Sequence, residues 1–413
     1  MKNQILSQFQ HPGELEKLYR SNKAEFKHAF LSVYPEIEGK EVAEFWYERL
    51  KDEPDGISWG SKKEHIWVIL GIIIAGILAK IPEIFSVDEE FFYPRNISFI
   101  ILPLITAFFA WKNQLSLNNK AILAGITGLL LVYINSLPNK ETDTLILACI
   151  HLPLILWGLL GTSYSGPDLL NWKKRLSFLR FNGEAAVMSV LLGIAGVMMT
   201  GITIGLFDLI GIKIEEFYFN YVVAFGLPAV AIFGTYLTHT NPQLVNKVSP
   251  VIAKIFSPLV LLMLVIYLVA IAITGKDPYN DREFLLLFNL LLVGVMALIF
   301  FSVAESSAKE ANSSGVWILL LLSIVTVVVN VIALSAITFR ISEWGITPNR
   351  LTVLVSNVLI LVHLMMVIGK LYKTLTKKSP LSEVGRSIVM YFPVYFIWAV
   401  LVVFIFPLVF GFK

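Results

Sequence analysis

The sequence predicts an all-α, polytopic membrane helix bundle preceded by a small soluble helical hairpin, and three observations lead to that class. The chain is 56% hydrophobic and 15% charged, whereas soluble domains carry roughly 25% charged residues. Its mean hydropathy is +0.73. The apolar residues are also gathered into runs, and a run of roughly 17 to 25 residues is long enough for a helix to span a bilayer.

The first 64 residues are rich in charge and are predicted to form a separate segment. Pro12 suits the first turn of a helix, and apolar residues recur at helical spacing from there to Tyr34-Pro35. A second amphipathic helix contains Phe45 and Trp46 and closes at residues 53–56. We expect a cytoplasmic helical hairpin over residues 1–64, which is either a solvated cap or a module that binds a protein partner. The second alternative requires an exposed apolar face around Phe45 and Trp46.

The apolar runs predict about eleven transmembrane helices of bilayer length. They form a first group of four helices in residues 65–161 and a second group of seven in residues 185–413. Their predicted bounds are 65–81, 96–111, 121–137, 143–161, 185–210, 217–237, 251–274, 284–304, 316–338, 351–371 and 387–410.

A basic segment, residues 162–184, separates the two groups. Its leucine, tryptophan and phenylalanine residues interleave with Lys173, Lys174, Arg175 and Arg180. This pattern is typical of a helix that lies in the membrane interface against anionic lipid headgroups. A plain cytoplasmic loop that carries positive charge is the alternative.

The distribution of lysine and arginine predicts the orientation of the chain. These residues concentrate in the loops that lie on the same side as the N-terminus. Positive loops stay in the cytoplasm, so we expect a cytoplasmic N-terminus and an outside C-terminus in a bacterial inner membrane. No long block of like charge indicates a nucleic-acid partner.

Signatures of catalysis and of metal binding are absent from the sequence. Cys149 is the single cysteine, which excludes an intrachain disulfide and a cysteine-cluster metal site. The histidines show no i, i+4 pair for a metal. There is also no nucleophile elbow, phosphate-binding loop or dinucleotide fingerprint. The sequence therefore predicts no catalytic residue, no metal ligand and no cofactor.

The stretch Phe339–Leu351 (FRISEWGITPNRL) is a polar interruption between two apolar runs. Arg340, Glu343 and Trp344 share one helical face, so the arginine and the glutamate can pair. Gly345 is suited to the left-handed conformation that ends a helix. The first half of the stretch is therefore predicted to be the end of a helix.

The second half of this stretch predicts the start of a new helix. Thr347 is a suitable N-cap, and Pro348 suits the first helical position. The resulting turn between two helices, which we name the signature turn, presents a group of candidate ligand-binding residues near the membrane surface. These residues are Arg340, Glu343, Trp344, Asn349 and Arg350.

The pattern R-I-x-E-W-G-x-T-P-N-R in residues 340–350 resembles the signature of a bacterial multi-pass membrane family catalogued as domain of unknown function 4153. The resemblance covers the chain from about Asn182 to the C-terminus. It implies an integral protein of the bacterial envelope and no particular activity.

Polar residues inside the apolar runs suggest a path below the signature turn. Asn357 lies two turns beneath Arg350, and His363 and Asn330 lie near mid-depth. His151, beside a proline in the fourth apolar run, is a further candidate ligand-binding residue. The alternative to a ligand path is a set of hydrogen bonds between helices, which holds the bundle together.

Three classes of function remain open at this stage. The first is binding or transport of a small molecule, ion or lipid, with the signature turn at its outer mouth. The second is a sensor, regulator or scaffold that acts through residues 1–64. The third is a lipid-modifying membrane enzyme, which would need Glu343 or His363 beside an open groove. The sequence slightly favours the first class over the second.

Overall fold

The computed structural model describes residues 1–51, 59–140, 142–168, 170–245, 248–274, 279, 282–306 and 313–411. Within these ranges all regular secondary structure is helical. This confirms the predicted all-α class.

The N-terminal segment forms four helices rather than the predicted hairpin of two. They are α1 (Lys2–Ser7), α2 (Pro12–Ser21), α3 (Lys23–Ile37) and α4 (Glu41–Lys51). The long first helix of the prediction is interrupted at Asn22, whose backbone is extended. The Asn22 side chain caps the start of α3 by accepting a hydrogen bond from the Glu25 backbone amide. The predicted close at residues 53–56 lies outside the described residues.

The four N-terminal helices enclose their own hydrophobic core, with α1, α2 and α4 packed on α3. Trp46 is buried, and its ring centroid lies 5.3 Å from that of Tyr19 and 5.0 Å from that of Phe26. The prediction that Trp46 contributes to an exposed apolar face is therefore wrong, because this ring fills the core. Phe45 does remain exposed, at 63% of its surface.

From residue 62 onward, the described chain forms eleven long helices and four short ones. Their bounds are α5 (Lys62–Ala79), α6 (Ile81–Phe85), α7 (Glu89–Lys112), α8 (Leu117–Ser136), α9 (Asp143–Ser165), α10 (Trp172–Leu209), α11 (Glu215–Phe217), α12 (Ala224–Thr240), α13 (Pro242–Val245), α14 (Val248–Thr274), α15 (Arg282–Ser306), α16 (Ser313–Trp344), α17 (Pro348–Leu375), α18 (Ser382–Val400) and α19 (Phe406–Val409). Two π-helical turns, Tyr218–Val223 and Leu401–Ile405, join α11 to α12 and α18 to α19.

The protein is a multi-pass membrane protein by the length and composition of its helices. Across the described residues, 10 helices are long and apolar enough to cross a membrane. The remaining predicted run, 65–81, corresponds to α5, which begins with three charged residues. Its apolar part rises about 22 Å at 1.5 Å per residue, whereas the hydrocarbon core of a bilayer is about 30 Å thick.

The two largest hydrophobic cores among the described membrane helices lie in different helix groups. One lies among α14, α15, α16, α17 and α18, where aliphatic side chains are fully buried. The other is rich in aromatic rings and lies among α5, α7, α9, α10 and α12. The basic segment 162–184 does not form a separate interfacial helix, because α10 begins at Trp172 and continues without a break to Leu209.

Candidate functional site

The signature turn has the backbone that the sequence predicts. Helix α16 ends at Trp344, Gly345 has a φ of +76°, and α17 begins at Pro348. The Thr347 hydroxyl accepts a hydrogen bond of 3.3 Å from the Arg350 amide. The glycine end and the threonine N-cap are therefore both confirmed.

The two arginines of the turn bind backbone carbonyls. The Arg350 guanidinium donates to the carbonyls of Trp344 and Gly345, at 2.7 and 2.8 Å. The Arg340 Nε donates to the carbonyl of Tyr279 at 2.8 Å. Each guanidinium carbon also lies 5.7 Å from the centroid of the Trp344 ring. The Arg350 contacts place a positive charge at the negative C-terminal end of α16 and hold the turn.

The predicted ion pair between Arg340 and Glu343 is not among the ion pairs of the described chain. The Arg340 guanidinium instead approaches a carbonyl that lies far away in sequence, and Glu343 is exposed. Trp344 is 51% exposed, and Asn349 is half-buried in the first turn of α17.

The structure brings two of the candidate residues, Asn330 and Asn357, together and adds a third asparagine. The Asn330 amide donates to the Asn357 carbonyl at 3.2 Å, and the Asn357 amide donates to the Asn289 side-chain oxygen at 2.9 Å. These bonds join α16, α17 and α15. They are the kind of interhelical contact that stabilises a membrane bundle.

The two buried histidines belong to separate surroundings. His363 is fully buried, and its Nδ1 lies 3.0 Å from the Tyr395 hydroxyl. His151 Nδ1 lies 2.9 Å from the Leu147 carbonyl of its own helix. Among the described residues, no hydrogen bond joins either histidine to the asparagine cluster or to the signature turn.

A buried acidic pair near the N-terminal end of α10 is not predicted by the sequence. The Arg180 Nε lies 3.0 Å from a Glu184 oxygen and 3.5 Å from a Glu305 oxygen. Both glutamates are at most 6% exposed. We expected Arg180 to face lipid headgroups, but its Nε lies in this buried cluster, because two carboxylates attract it there. Lys174 forms an ion pair with Asp168 at 2.9 Å.

The structure contains an apolar crevice of about 310 Å³ between α5, α7 and α12. Its walls are aliphatic and aromatic, with Thr235 and Tyr236 as the polar side chains. The lining residues are Ile66, Trp67, Val68, Leu70, Gly71, Ile74, Leu104, Ile105, Phe108, Ile232, Thr235 and Tyr236.

A polar cluster adjoins the crevice at Tyr236, and we name it the crevice mouth: Trp59, Gly60, Glu64, Lys112 and Tyr236. Glu64 is buried, and its carboxylate accepts hydrogen bonds from the Ser61 amide at 2.6 Å and from the Lys112 ammonium. Burial raises the pKa of Glu64, and the bonds from Lys112 and Ser61 outweigh that effect. The net pKa of this carboxyl therefore lies below its ordinary value.

The backbone before α5 is tied into the crevice mouth. The Trp59 carbonyl accepts a hydrogen bond from the Tyr236 hydroxyl and contacts a ring nitrogen of His65. Gly60 has a φ of +75°, and a Cβ at this position would lie 2.4 Å from the Tyr236 oxygen and 2.9 Å from a Glu64 oxygen. Because Gly60 has no Cβ, the Tyr236 and Glu64 side chains can approach the backbone closely at this position.

Sequence reasoning missed the crevice because its walls come from three segments that are far apart in the chain. Two local signals lie beside it. The spacing of Ser61 and Glu64 is that of a capping box, which the structure shows to be formed. Trp67 and Trp111 have ring centroids 5.6 Å apart, and tryptophan is enriched at membrane–water interfaces.

Comparison with known proteins finds no relative of this chain. No family model matches the chain, no curated protein matches it, and no solved structure matches it.

Proposed function

We propose that this protein is a lipid-binding integral membrane protein, and that an acyl chain occupies the crevice between α5, α7 and α12. The observation that carries the proposal is the apolar cavity of about 310 Å³, which adjoins the polar crevice mouth at Tyr236. Ligand sites are typically cavities of about 300 to 1,000 Å³ with mostly apolar walls and few polar groups. Taking about 30 Å³ for a group the size of a water molecule, the crevice holds about ten methylene groups.

The position of the crevice suits a lipid rather than a water-soluble molecule. Two of its three wall helices, α7 and α12, belong to segments that are long and apolar enough to cross a membrane, and the crevice mouth lies beside the Trp67 and Trp111 rings. Tryptophan is enriched at the depth of lipid headgroups. A lipid could therefore keep its headgroup at the interface while one chain enters the protein.

The remaining elements of the proposal follow from the sequence. In the predicted orientation the N-terminus is cytoplasmic, and the crevice mouth faces the inner leaflet of a bacterial inner membrane. The resemblance of residues 340–350 to a bacterial multi-pass family is consistent with this setting. The proposal places ligand binding at the crevice and gives the signature turn a structural role, because Arg340 and Arg350 bind backbone carbonyls.

A sensor is the second candidate, and one contact favours it. Tyr236 lines the crevice and also donates to the Trp59 carbonyl, at the end of the segment that leads from the N-terminal helices. A lipid that displaces Tyr236 would act directly on this segment. Occupancy of the crevice could thus be communicated to residues 1–51.

The proposal is tested by filling the crevice. Gly71 lines it, and a Cβ there would meet only Ile232, at 3.9 Å. In Gly71→Phe the ring should occupy the space of the acyl chain. The control is Gly128→Phe in α8, where nothing lies within 4 Å. We expect native mass spectra of wild type and Gly128→Phe to show retained lipid, and those of Gly71→Phe to lack it.

Two further measurements complete this test. Thermal melting should show that Gly71→Phe is folded, and Gly71→Leu provides a smaller filling side chain if the phenylalanine disturbs packing. Equal lipid retention by wild type and a folded crevice-filling variant would refute the proposal.

A further inference from the structure

The charged groups of the crevice mouth are arranged asymmetrically. The Glu64 side chain is only 6% exposed, and both of its oxygens are engaged, one by the Ser61 amide and one by Lys112. The Lys112 side chain is 37% exposed. An ammonium carries three N–H donors, and among the described residues Lys112 donates one of them, to Glu64. Both oxygens of the Glu64 carboxylate are thus occupied by groups of the protein, while the Lys112 ammonium has N–H groups available for a headgroup.

The surroundings of the crevice mouth add positive charge. Lys62 and Lys63 precede Glu64 in the first turn of α5, and both are exposed. Three lysines therefore accompany one buried carboxylate at this end of the crevice. Each basic residue near a membrane surface favours anionic lipid by about 1 kcal/mol, which corresponds to about fivefold in affinity.

The apolar crevice and the exposed ammonium are adjacent. Lys112 directly follows Trp111, whose ring lies 6.1 Å from that of the crevice residue Phe108. The Glu64 carboxylate that binds Lys112 also lies one turn before Val68 of the crevice wall. A single lipid can therefore place a chain in the crevice and its headgroup beside Lys112.

From these positions we propose that the crevice selects an anionic phospholipid, whose phosphate group binds the Lys112 ammonium with no cationic group in the headgroup to offset its charge, while one acyl chain fills the cavity. This inference rests on the proposed function, because it names the class of lipid for the same site. Free phosphate shares the headgroup chemistry but lacks the chain that fills the crevice.

The test compares two phospholipids with identical chains. Delipidated protein in detergent is titrated with dioleoyl phosphatidylglycerol and with dioleoyl phosphatidylcholine, and binding is followed by native mass spectrometry. Wild type should bind phosphatidylglycerol at least about fivefold more tightly, as one basic residue predicts. Lys112→Gln should lose most of this preference, and Lys112→Arg should keep it. Lys120→Gln, in the first turn of α8, is the matched control and should behave as wild type.

A second variant guards against an effect of instability. Lys112→Gln leaves the Glu64 carboxylate buried without its ammonium partner, so the double variant Glu64→Gln/Lys112→Gln restores a neutral pair. It should also lack the preference for phosphatidylglycerol. Wild type without a preference, or a Lys112→Gln protein that keeps it, would overturn the inference.

The outcomes separate this inference from the proposed function. Gly71→Phe should lose both phospholipids, whereas Lys112→Gln should still bind phosphatidylcholine. If Gly71→Phe binds both lipids as wild type does, the proposed function fails and the inference fails with it. Millimolar inorganic phosphate should not displace phosphatidylglycerol, and complete displacement would mean that the site recognises a free anion instead.

Discussion

The signature turn and the crevice mouth are both polar clusters next to tryptophan rings, yet they are built in different ways. The signature turn is made mainly by residues 340–350, within one stretch of chain. The crevice mouth joins Trp59 and Glu64 to Lys112 and Tyr236, from three distant segments. The contacts of Arg350 with backbone carbonyls account for the polar residues of the signature turn without a ligand. The second borders an apolar cavity, and this difference is why ligand binding is proposed there.

The largest expected difference between the two regions concerns their glycines. Gly60 and Gly345 both have positive φ, but a Cβ on Gly60 would collide with Tyr236 and Glu64, while a Cβ on Gly345 would meet nothing within 4 Å. Gly345→Ala should cost about 1 to 2 kcal/mol for the left-handed backbone alone. Gly60→Ala should cost about 1 to 3 kcal/mol more, because buried hydrogen bonds must also break. Thermal melting in detergent measures both, and equal losses would show that the crevice mouth is loosely packed.

The next largest effect is expected in the signature turn, at Arg350. Its guanidinium binds two carbonyls at the end of α16, and hydrogen bonds to charged groups contribute roughly 1.5 to 3 kcal/mol when shielded from water. Arg350→Ala should therefore destabilise the protein by about 1 to 2 kcal/mol, since this site is partly exposed. Lipid retention should be unchanged. Loss of bound lipid in a folded Arg350→Ala protein would instead indicate that the signature turn takes part in ligand binding.

Acidification should affect the crevice mouth through Glu64. The folded-state pKa of this carboxyl lies below its ordinary value of 4.5. Its contribution to stability is therefore present above about pH 4.5 and is lost as the pH falls through the folded pKa. Wild type should lose more stability than Glu64→Gln between pH 6 and the acid limit. If the melting temperatures of the two proteins fall in parallel over this pH range, the ion pair between Glu64 and Lys112 is contradicted.

The smallest effect is expected at Glu343 in the signature turn. This residue is exposed and lacks the predicted pair with Arg340 among the described contacts. Glu343→Gln should change the free energy of unfolding by less than about 0.5 kcal/mol, as surface substitutions usually do. A loss well above that value would indicate that the carboxylate does bind a neighbouring group.

The same contrast explains how much the sequence could predict. The apolar runs locate the membrane helices, because spanning a bilayer requires about 20 apolar residues in one stretch. Gly345, Thr347 and Pro348 predict the turn correctly, because their effects on the backbone are local. The interruption at Asn22 was missed, since an asparagine N-cap is a weaker signal than the helical spacing around it.

Contacts between distant segments were beyond the sequence. Arg340 could pair with Glu343 within its helix, but the Tyr279 carbonyl is its partner in the fold. Arg180 was assigned to the lipid surface, and only the packing of α10 against α15 brings it to Glu305. The crevice depends in the same way on how α5, α7 and α12 meet. A single sequence does not show which of its helices pack against one another.

The most direct test of the central claim is the lipid content of purified protein with an open and with a filled crevice. Wild type and Gly128→Phe, extracted under identical mild conditions, should carry a lipid adduct in native mass spectra, and Gly71→Phe should not. The same adduct on all three folded proteins would contradict lipid binding in the crevice between α5, α7 and α12.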